Sequence, residues 1–350
     1  MTHAACEMEP VLGASAAHAS PSVPVARDLT LDLVKGVLVV VMVVYHAMNI
    51  FTTAGPDDYA YVRFVSGSFV LTSGYIVARF YEAQFRADWR STSHRLVVRG
   101  LKLLTLFTVL NLLINLTGMG NPNKNQHGIQ QYASILSEIY LSGRFGYASF
   151  QILLPIAYLL IAAPALLMLG RLRKWFFIAS FVAAIALSLV EVESINLAFA
   201  VLGVIGLSCG VIANSMETPF AMRGAFSIAG SLLACVMFMK YLNANLATYA
   251  LGIIIILKLM YDLSKAIDPR SPLARASILL GQYSLTCYIA QIIFMQMLSL
   301  DLSRPRWGVG YEMIFVVFAT IIFLLVLSAG LAMLCHRYGL AAKVYKLIFS

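Results

Sequence analysis

Long runs of predominantly apolar residues recur through most of this chain. A helix that crosses a lipid bilayer needs about 20 such residues. The chain is 60% hydrophobic and only 12% charged, whereas soluble proteins carry about 25% charged residues. The sequence therefore predicts an all-α, polytopic integral membrane protein. We place about ten transmembrane helices near 33–51, 64–81, 101–118, 149–169, 175–190, 196–214, 224–242, 246–263, 277–299 and 311–334.

The distribution of charge between the loops predicts the orientation of these spans. With the amino terminus in the cytoplasm, most lysines and arginines fall in inner segments, among them the run 79–102. Cytoplasmic loops carry the excess of Lys and Arg, so this favours ten spans with both termini cytoplasmic, in the plasma (inner) membrane. Residues 1–26 are rich in Ala, Ser and Pro and predict a disordered amino-terminal tail. Residues 27–350 then form one integral membrane domain.

The net charge of +9 fits basic loops that face anionic membrane lipid or an anionic substrate. A nucleic-acid partner would require a continuous basic soluble face, and the apolar runs leave no room for one. The five cysteines contain no CxxC pair and have no histidine at metal-ligand spacing. We therefore expect no metal site.

The first span carries two ionisable residues on one face. It reads DLVKGVLVVVMVVYH, from Asp32 to His46. His46 follows Lys35 by eleven positions, which places both on nearly the same helix face, about 16 Å apart. Taken separately, snorkelling explains Lys35 and an interfacial position explains His46. Their alignment, with Asp32 one turn before Lys35, favours a functional site, because ionisable residues within a membrane are costly.

A basic segment, HRLVVRGLKLL, precedes the third span. Arg95, Arg99 and Lys102 follow the spacing i, i+4, i+7 and form one stripe at the cytoplasmic end of a helix. Two interpretations remain open for this stripe. One is membrane anchoring, and the other is a phosphate site, since arginine holds phosphate oxygens through paired hydrogen bonds.

Small residues dominate the second span at SGSFVLTSGY. Gly67 and Gly74 allow another helix to approach closely, which by itself accounts for the pattern. The alternative is that Ser73, Gly74 and Tyr75 line the same cavity as the first span, with the Tyr75 hydroxyl facing the ligand.

The ninth span opens with GQYSLTCYIAQ. Four residues place polar groups at depths where they need partners: Tyr283, Ser284, Tyr288 and Gln291. Tyr288 and Gln291 are three positions apart and share a helix face. A place in the aromatic belt at the membrane surface explains Tyr283, but it does not explain Gln291.

The sequence contains no GxSxG elbow, Walker loop, HExxH helix or GxGxxG fingerprint. It also lacks the series of intramembrane Asp, Glu and Arg residues that proton-coupled carriers use. A transporter or flippase of a glycan, lipid or small anion is compatible with ten helices and a polar stripe. The missing acidic series counts against that alternative.

Together these segments resemble the membrane acyltransferase 3 family. The first helix of that family begins R…LDxxRG and ends in His, and Lys35 takes the second basic position here. The late GxxSYxxYLxH segment of the family resembles 281–291, except that Gln291 stands where histidine is common. The SGY motif and the cytoplasmic arginine pair also have counterparts. The matching residues are Arg27, Leu31, Asp32, Lys35, Gly36 and His46, then Ser73, Gly74 and Tyr75, then Arg95 and Arg99.

The resemblance implies an enzyme that moves an acetyl or succinyl group from cytoplasmic acyl-CoA to a hydroxyl of an extracytoplasmic glycan or glycolipid. His46 would deprotonate that hydroxyl or carry the acyl group, because a pKa of about 6.5 suits proton transfer near neutrality. Lys35 and Asp32 would assist it. The residues implied for the CoA phosphates are Arg27, Arg95, Arg99 and Lys102, and those implied for the substrate cavity are Ser73, Gly74, Tyr75, Tyr283, Tyr288 and Gln291.

Two relationships within and beyond this family also follow from resemblance. The stretch ILLPIAYLLIAAP looks more like the branch that succinylates periplasmic glucans than the exopolysaccharide acetylators. The heparan-glucosaminide N-acetyltransferase-like family shares the general layout of helices and stays a second possibility.

Overall fold

The structure is a computed structural model in which the described residues form helices joined by turns, with no β-strand among them. The described residues are 28–51, 62, 64–117, 138–143, 150–172, 175–187, 194–215, 246–301 and 311–349. Their helices are α1 (Leu29–Phe51), α2 (Phe64–Ile76), α3 (Glu82–Ala87), α4 (Trp89–Thr117), α5 (Leu153–Leu172), α6 (Phe176–Leu187), α7 (Ile195–Ser215), α8 (Leu246–Ala266), α9 (Pro272–Gln282), α10 (Ser284–Asp301), α11 (Tyr311–Arg337) and α12 (Gly339–Phe349). A π-helical turn, Val77–Tyr81, joins α2 to α3.

Six of these helices are long and apolar enough to cross a membrane: α1, α4, α5, α7, α8 and α11. The bent pair α9–α10 makes a seventh if it counts as one span. Large apolar side chains on α11 are exposed, among them Phe315, Ile322 and Val326, as expected where a helix faces lipid rather than water. The prediction of an all-α integral membrane protein is therefore confirmed for the described residues. The total of about ten spans and the cytoplasmic termini stay predictions, and the predicted span 224–242 lies outside the described residues.

The first helix begins where the sequence provides a cap. The Asp28 carboxylate accepts a hydrogen bond from the Leu31 N–H at 3.1 Å, which satisfies one of the free donors of a helix start. The Tyr261 hydroxyl on α8 donates to the other oxygen of Asp28 at 3.3 Å. This contact ties the start of α1 to another span.

Helix α9 packs along the first half of α1 with the two backbones in contact. A Cβ atom on Gly36 would lie 1.8 Å from the Ser277 carbonyl oxygen, and one on Gly281 would lie 1.8 Å from the Asp32 carbonyl oxygen. No larger side chain fits at either position without moving a helix. The two glycines of the first-helix and late motifs therefore meet across one interface.

The predicted ninth span, 277–299, is wrong as a single straight helix. The structure begins α9 at Pro272, where Ser271 caps the helix by accepting from the Ala274 N–H at 3.3 Å. Tyr283 then leaves helical geometry (φ −106°, ψ 23°), and α10 continues at 87° to α9. The apolar pattern runs through this break without proline, so hydropathy alone did not predict it.

The structure also contains a helix that the sequence analysis did not predict. Helix α12 follows the last span after Tyr338. Leu340, Val344 and Leu347 on it are exposed and share one face, because they are spaced i, i+4, i+7. Tyr345 lies on the side that contacts the bundle, near Thr286 and Tyr283.

Candidate functional site

A cavity of about 300 Å³ lies between α1, α2, α4, α5, α10 and α12. Apolar side chains such as Met42, Phe69 and Ile156 form much of its wall. Its polar lining combines cations, hydroxyls and one carboxamide: Lys35, Thr72, Ser73, Tyr81, Arg99, Lys102, Gln282, Ser284, Tyr288 and Tyr345. The predicted residues Lys35, Ser73, Arg99, Lys102 and Tyr288 are thus brought together from four helices.

One end of the cavity is cationic. Lys35 forms an ion pair with Asp32, with 2.6 Å between Nζ and Oδ1, and Asp32 is buried with 3% of its surface exposed. Arg99 donates to the Tyr81 hydroxyl, and its guanidinium lies over the Tyr81 ring. Lys102 is one turn further along α4 and also lines the cavity. Because Asp32 neutralises Lys35, Arg99 and Lys102 supply most of the positive charge at this end.

The other two predicted phosphate ligands lie elsewhere. Arg95 shares the helix face of Arg99, but it is exposed and does not line the cavity. Arg27 lies outside the described residues. The stripe predicted on α4 is therefore present, with its last two members at the cavity and its first at the surface.

His46 lies beyond the opposite end of the cavity. Lys35 and Met42 line the cavity from the same face of α1, and His46 follows Met42 by one turn. The His46 ring lies 6.3 Å from the ring of Tyr288, which does line the cavity. The Nε2 atom of His46 is buried and has no hydrogen-bond partner among the described residues.

The predicted SGY residues point to different surroundings. Ser73 lines the cavity, and its hydroxyl donates to the Phe69 carbonyl at 2.7 Å. A Cβ on Gly74 would lie 2.1 Å from the Gly203 carbonyl oxygen on α7, so Gly74 serves close packing of α2 on α7. Tyr75 is half-buried and is not among the lining residues.

The predicted residues of the late motif lie partly in the cavity lining and partly outside it. Tyr288 lines the cavity, while Tyr283 at the α9–α10 break contacts the ring of Tyr345, with 5.4 Å between centroids. Gln291 is fully buried, and neither polar atom of its carboxamide has a hydrogen-bond partner in the described part of the chain. It does not line the cavity.

Tyr81, Gln282, Ser284 and Tyr345 line the cavity but were not predicted as site residues. Ser284 and Gln282 belong to the late motif and flank its break, so the motif carried a signal for them. Tyr81 reaches the site because the π-helical turn changes the direction of side chains after α2. Tyr345 reaches the cavity because the chain folds into α12 after the last span. An amphipathic pattern is the only sign of that helix in the sequence.

This arrangement has a definite chemical capacity. The cationic end can hold phosphate oxygens, the apolar wall can accommodate an uncharged chain, and a histidine at the far end can take and return a proton. Such a division suits a donor with an anionic head and a reactive group carried on a long arm.

Comparison with known proteins agrees with this reading. A family model described as an acyltransferase domain, that of the acyltransferase 3 family, matches residues 28–335. No curated protein and no solved structure matches the chain. The match covers every helix of the site except α12. The chain therefore belongs to the acyltransferase 3 family, and it is an integral membrane acyltransferase.

Proposed function

We propose that this protein transfers an acetyl or succinyl group from cytoplasmic acyl-CoA to a hydroxyl of an extracytoplasmic glycan or glycolipid. The observation that carries the proposal is the cavity itself. It extends along one face of α1 from Lys35 to Met42, a rise of about 10 Å, and ends at Tyr288 beside His46. Family membership supplies the reaction class, and the cavity supports the division between donor and acceptor ends.

The cationic end receives the donor in this proposal. Arg99 and Lys102 bind the phosphates of acyl-CoA, and Arg95 at the surface adds to the local positive potential. The uncharged pantetheine arm occupies the apolar part of the cavity, past Met42 and Ile156. The excess of basic residues at this end supports its cytoplasmic orientation. Tyr81 holds the Arg99 guanidinium in place for this role.

His46 acts on the acceptor. It removes the proton from the acceptor hydroxyl while the oxygen attacks the thioester carbonyl, forming a C–O bond and a tetrahedral oxyanion. The C–S bond then breaks, and the imidazolium returns its proton to the departing thiolate, giving the ester and free CoA. If His46 instead carries the acyl group, its imidazole attacks the thioester carbonyl, and the C–S bond breaks to give an acylimidazolium and the CoA thiolate. The acceptor hydroxyl then attacks the acylimidazolium, the C–N bond breaks, and the hydroxyl proton passes through the released imidazole to the thiolate. The Nε2 atom of His46 has no hydrogen-bond partner among the described residues, which supports a role in accepting the proton of an incoming hydroxyl.

Mass spectrometry of surface and periplasmic glycans, from cells with and without this protein, tests the proposal. We expect an acetyl or succinyl ester on a glycan or glycolipid that disappears when the protein is removed, while the unmodified acceptor persists. Loss of the whole glycan from the outer surface, with the ester-bearing form retained inside the cell, would instead indicate a transporter or flippase. Identical ester content in both strains would contradict the proposal.

A further inference from the structure

Gln291, on α10, has a buried carboxamide. It is 0% exposed, and both Oε1 and Nε2 lack a hydrogen-bond partner among the described residues. A polar group buried in this way costs about 1–3 kcal/mol when its hydrogen bonds are not completed. Such a group calls for an explanation. A ligand that completes its hydrogen bonds provides one.

The position of Gln291 relates it to the site. Ser284 and Tyr288, seven and three positions earlier, lie on the same face of α10 and line the cavity. Gln291 is about one turn beyond Tyr288, in the direction away from the cationic end. Its helix contacts α1, which carries His46 at the same end of the cavity.

His46, like Gln291, has a buried polar atom. Its Nε2 atom is also buried without a partner in the described part of the chain, and its ring lies 6.3 Å from Tyr288. Two contacting helices thus present unmatched polar atoms just past the point where the cavity ends. Tyr288 lines the cavity, contacts the His46 ring and is three positions before Gln291 on α10, so both residues lie next to a side chain of the cavity wall.

The chemistry of a carboxamide restricts what can satisfy it. Nε2 donates and Oε1 accepts, so a matching ligand must carry an acceptor and a donor close together. A thioester carbonyl and an ionised phosphate only accept, and a hydrocarbon chain does neither. The amides of the pantetheine arm do both, but the function proposed above places that arm between the cationic end and Tyr288, whereas Gln291 lies past Tyr288 and does not line the cavity. Neighbouring hydroxyl groups on a sugar ring do both.

We propose that Gln291 binds the hydroxyl groups next to the one that His46 deprotonates on a carbohydrate acceptor, and so determines acceptor specificity. This assignment rests on the function proposed above. It makes Gln291 a substrate-binding residue on the acceptor side, distinct from the cations that hold the donor. The acceptor is then a molecule with several neighbouring hydroxyl groups, and not a simple alcohol.

A binding role for Gln291 and a structural role predict different effects of its substitution on stability. Gln291→Leu replaces an unmatched buried carboxamide with an apolar side chain of similar size, a change that is neutral or stabilising. We therefore expect the melting temperature of this variant to equal or exceed that of the wild type. A glutamine that held the fold together would lower it.

The experiment uses purified full-length protein, labelled acetyl-CoA or succinyl-CoA, and a glycan and glycolipid extract of the source cells as acceptor. We expect Gln291→Leu to raise the KM for the acceptor about tenfold, the effect of about 1.4 kcal/mol, with the KM for acyl-CoA unchanged. Gln296→Leu makes the same change five positions further along α10, at a half-buried residue that does not line the cavity. As the matched control it should leave the acceptor KM unchanged.

If the wild type transfers the acyl group, three results would contradict the role of Gln291 and leave the proposed function standing. These are an unchanged acceptor KM in Gln291→Leu, a raised KM for acyl-CoA instead, or transfer only to molecules without sugar. A lowered melting temperature of Gln291→Leu, together with an equal loss of kcat with every acceptor tested, would also contradict this role. No transfer by the wild type would overturn the proposed function and the assignment together.

Discussion

Arg95 and Arg99 lie four positions apart on α4 and have different surroundings. Arg99 lines the cavity and is held by Tyr81, whereas Arg95 is exposed. We expect Arg99→Ala to raise the Kd for acyl-CoA about tenfold, because charge-assisted contacts with phosphate are lost. Arg95→Ala should raise it by no more than about twofold, as for an exposed charge. Isothermal titration with acetyl-CoA and succinyl-CoA measures both.

Arg337→Ala, at the end of α11, is the control for this comparison, since Arg337 does not line the cavity. Its Kd should equal that of the wild type. Equal affinities in the Arg99 and Arg337 variants would remove the phosphate role from the α4 stripe.

Helical spacing was enough to predict that Lys35 and His46 share a face, because that depends only on the geometry of one helix. It was also enough to predict that Arg99 and Lys102 belong together. Spacing did not predict that Lys35 is neutralised at 2.6 Å by Asp32, or that Tyr288 lies between His46 and the cavity. Those facts depend on rotamers and on the packing of separate helices, which a local pattern does not contain.

The interface of α1 with α9 rests on glycine at both sides. Gly36→Ala would bring a Cβ within 1.8 Å of the Ser277 carbonyl oxygen, and overpacking of this kind costs about 1–3 kcal/mol. We expect the melting temperature of the detergent-solubilised protein to fall by about 5 °C. Size-exclusion chromatography after heating measures this.

Gly330→Ala on α11 makes the same chemical change where, apart from the neighbouring backbone of α11, no atom of the described residues lies within 4 Å of the added Cβ. Its melting temperature should match that of the wild type. An equal fall in both variants, or none in Gly36→Ala, would contradict the close approach of α1 and α9.

The sequence predicted the helices well where the length of an apolar run sets their limits, and poorly where the chain turns. Helices α1, α5, α7 and α8 begin and end near their predicted limits, since a membrane helix must cover the bilayer thickness. The break at Tyr283 and the separate helix α12 were not predicted. The break accompanies the backbone contact of α9 with α1, and α12 is placed by side-chain contacts of Tyr345 with Thr286 and Tyr283. Hydropathy records neither kind of contact.

At the scale of the whole molecule, the charge pattern predicts ten spans with both termini in the cytoplasm. Fusions of green fluorescent protein, which fluoresces only inside, and alkaline phosphatase, which is active only outside, test this. We expect fluorescence at residue 350 and phosphatase activity after residue 243. Phosphatase activity at the carboxy terminus would contradict the even number of spans, and would place α12 and Tyr345 on the acceptor side. Fluorescence after residue 243 would mean that 224–242 does not cross the membrane.

The family could be recognised from the sequence because its motifs are short and contiguous, and the match over residues 28–335 confirms it. The acceptor could not be read in the same way. The acceptor contacts that we propose come from α1 and α10, which are far apart in the chain, and the departure at Gln291 removes the residue type that the family motif would have supplied.

Acyl transfer by the wild type and by His46→Ala tests the central claim most directly. With labelled acyl-CoA and the glycan extract, the wild type should form labelled glycan ester, and His46→Ala should lose at least about 100-fold in rate, the usual contribution of a general base. The variant should keep its melting temperature and its Kd for acyl-CoA, and His336→Ala should be fully active. Undiminished ester formation by folded His46→Ala would contradict the account.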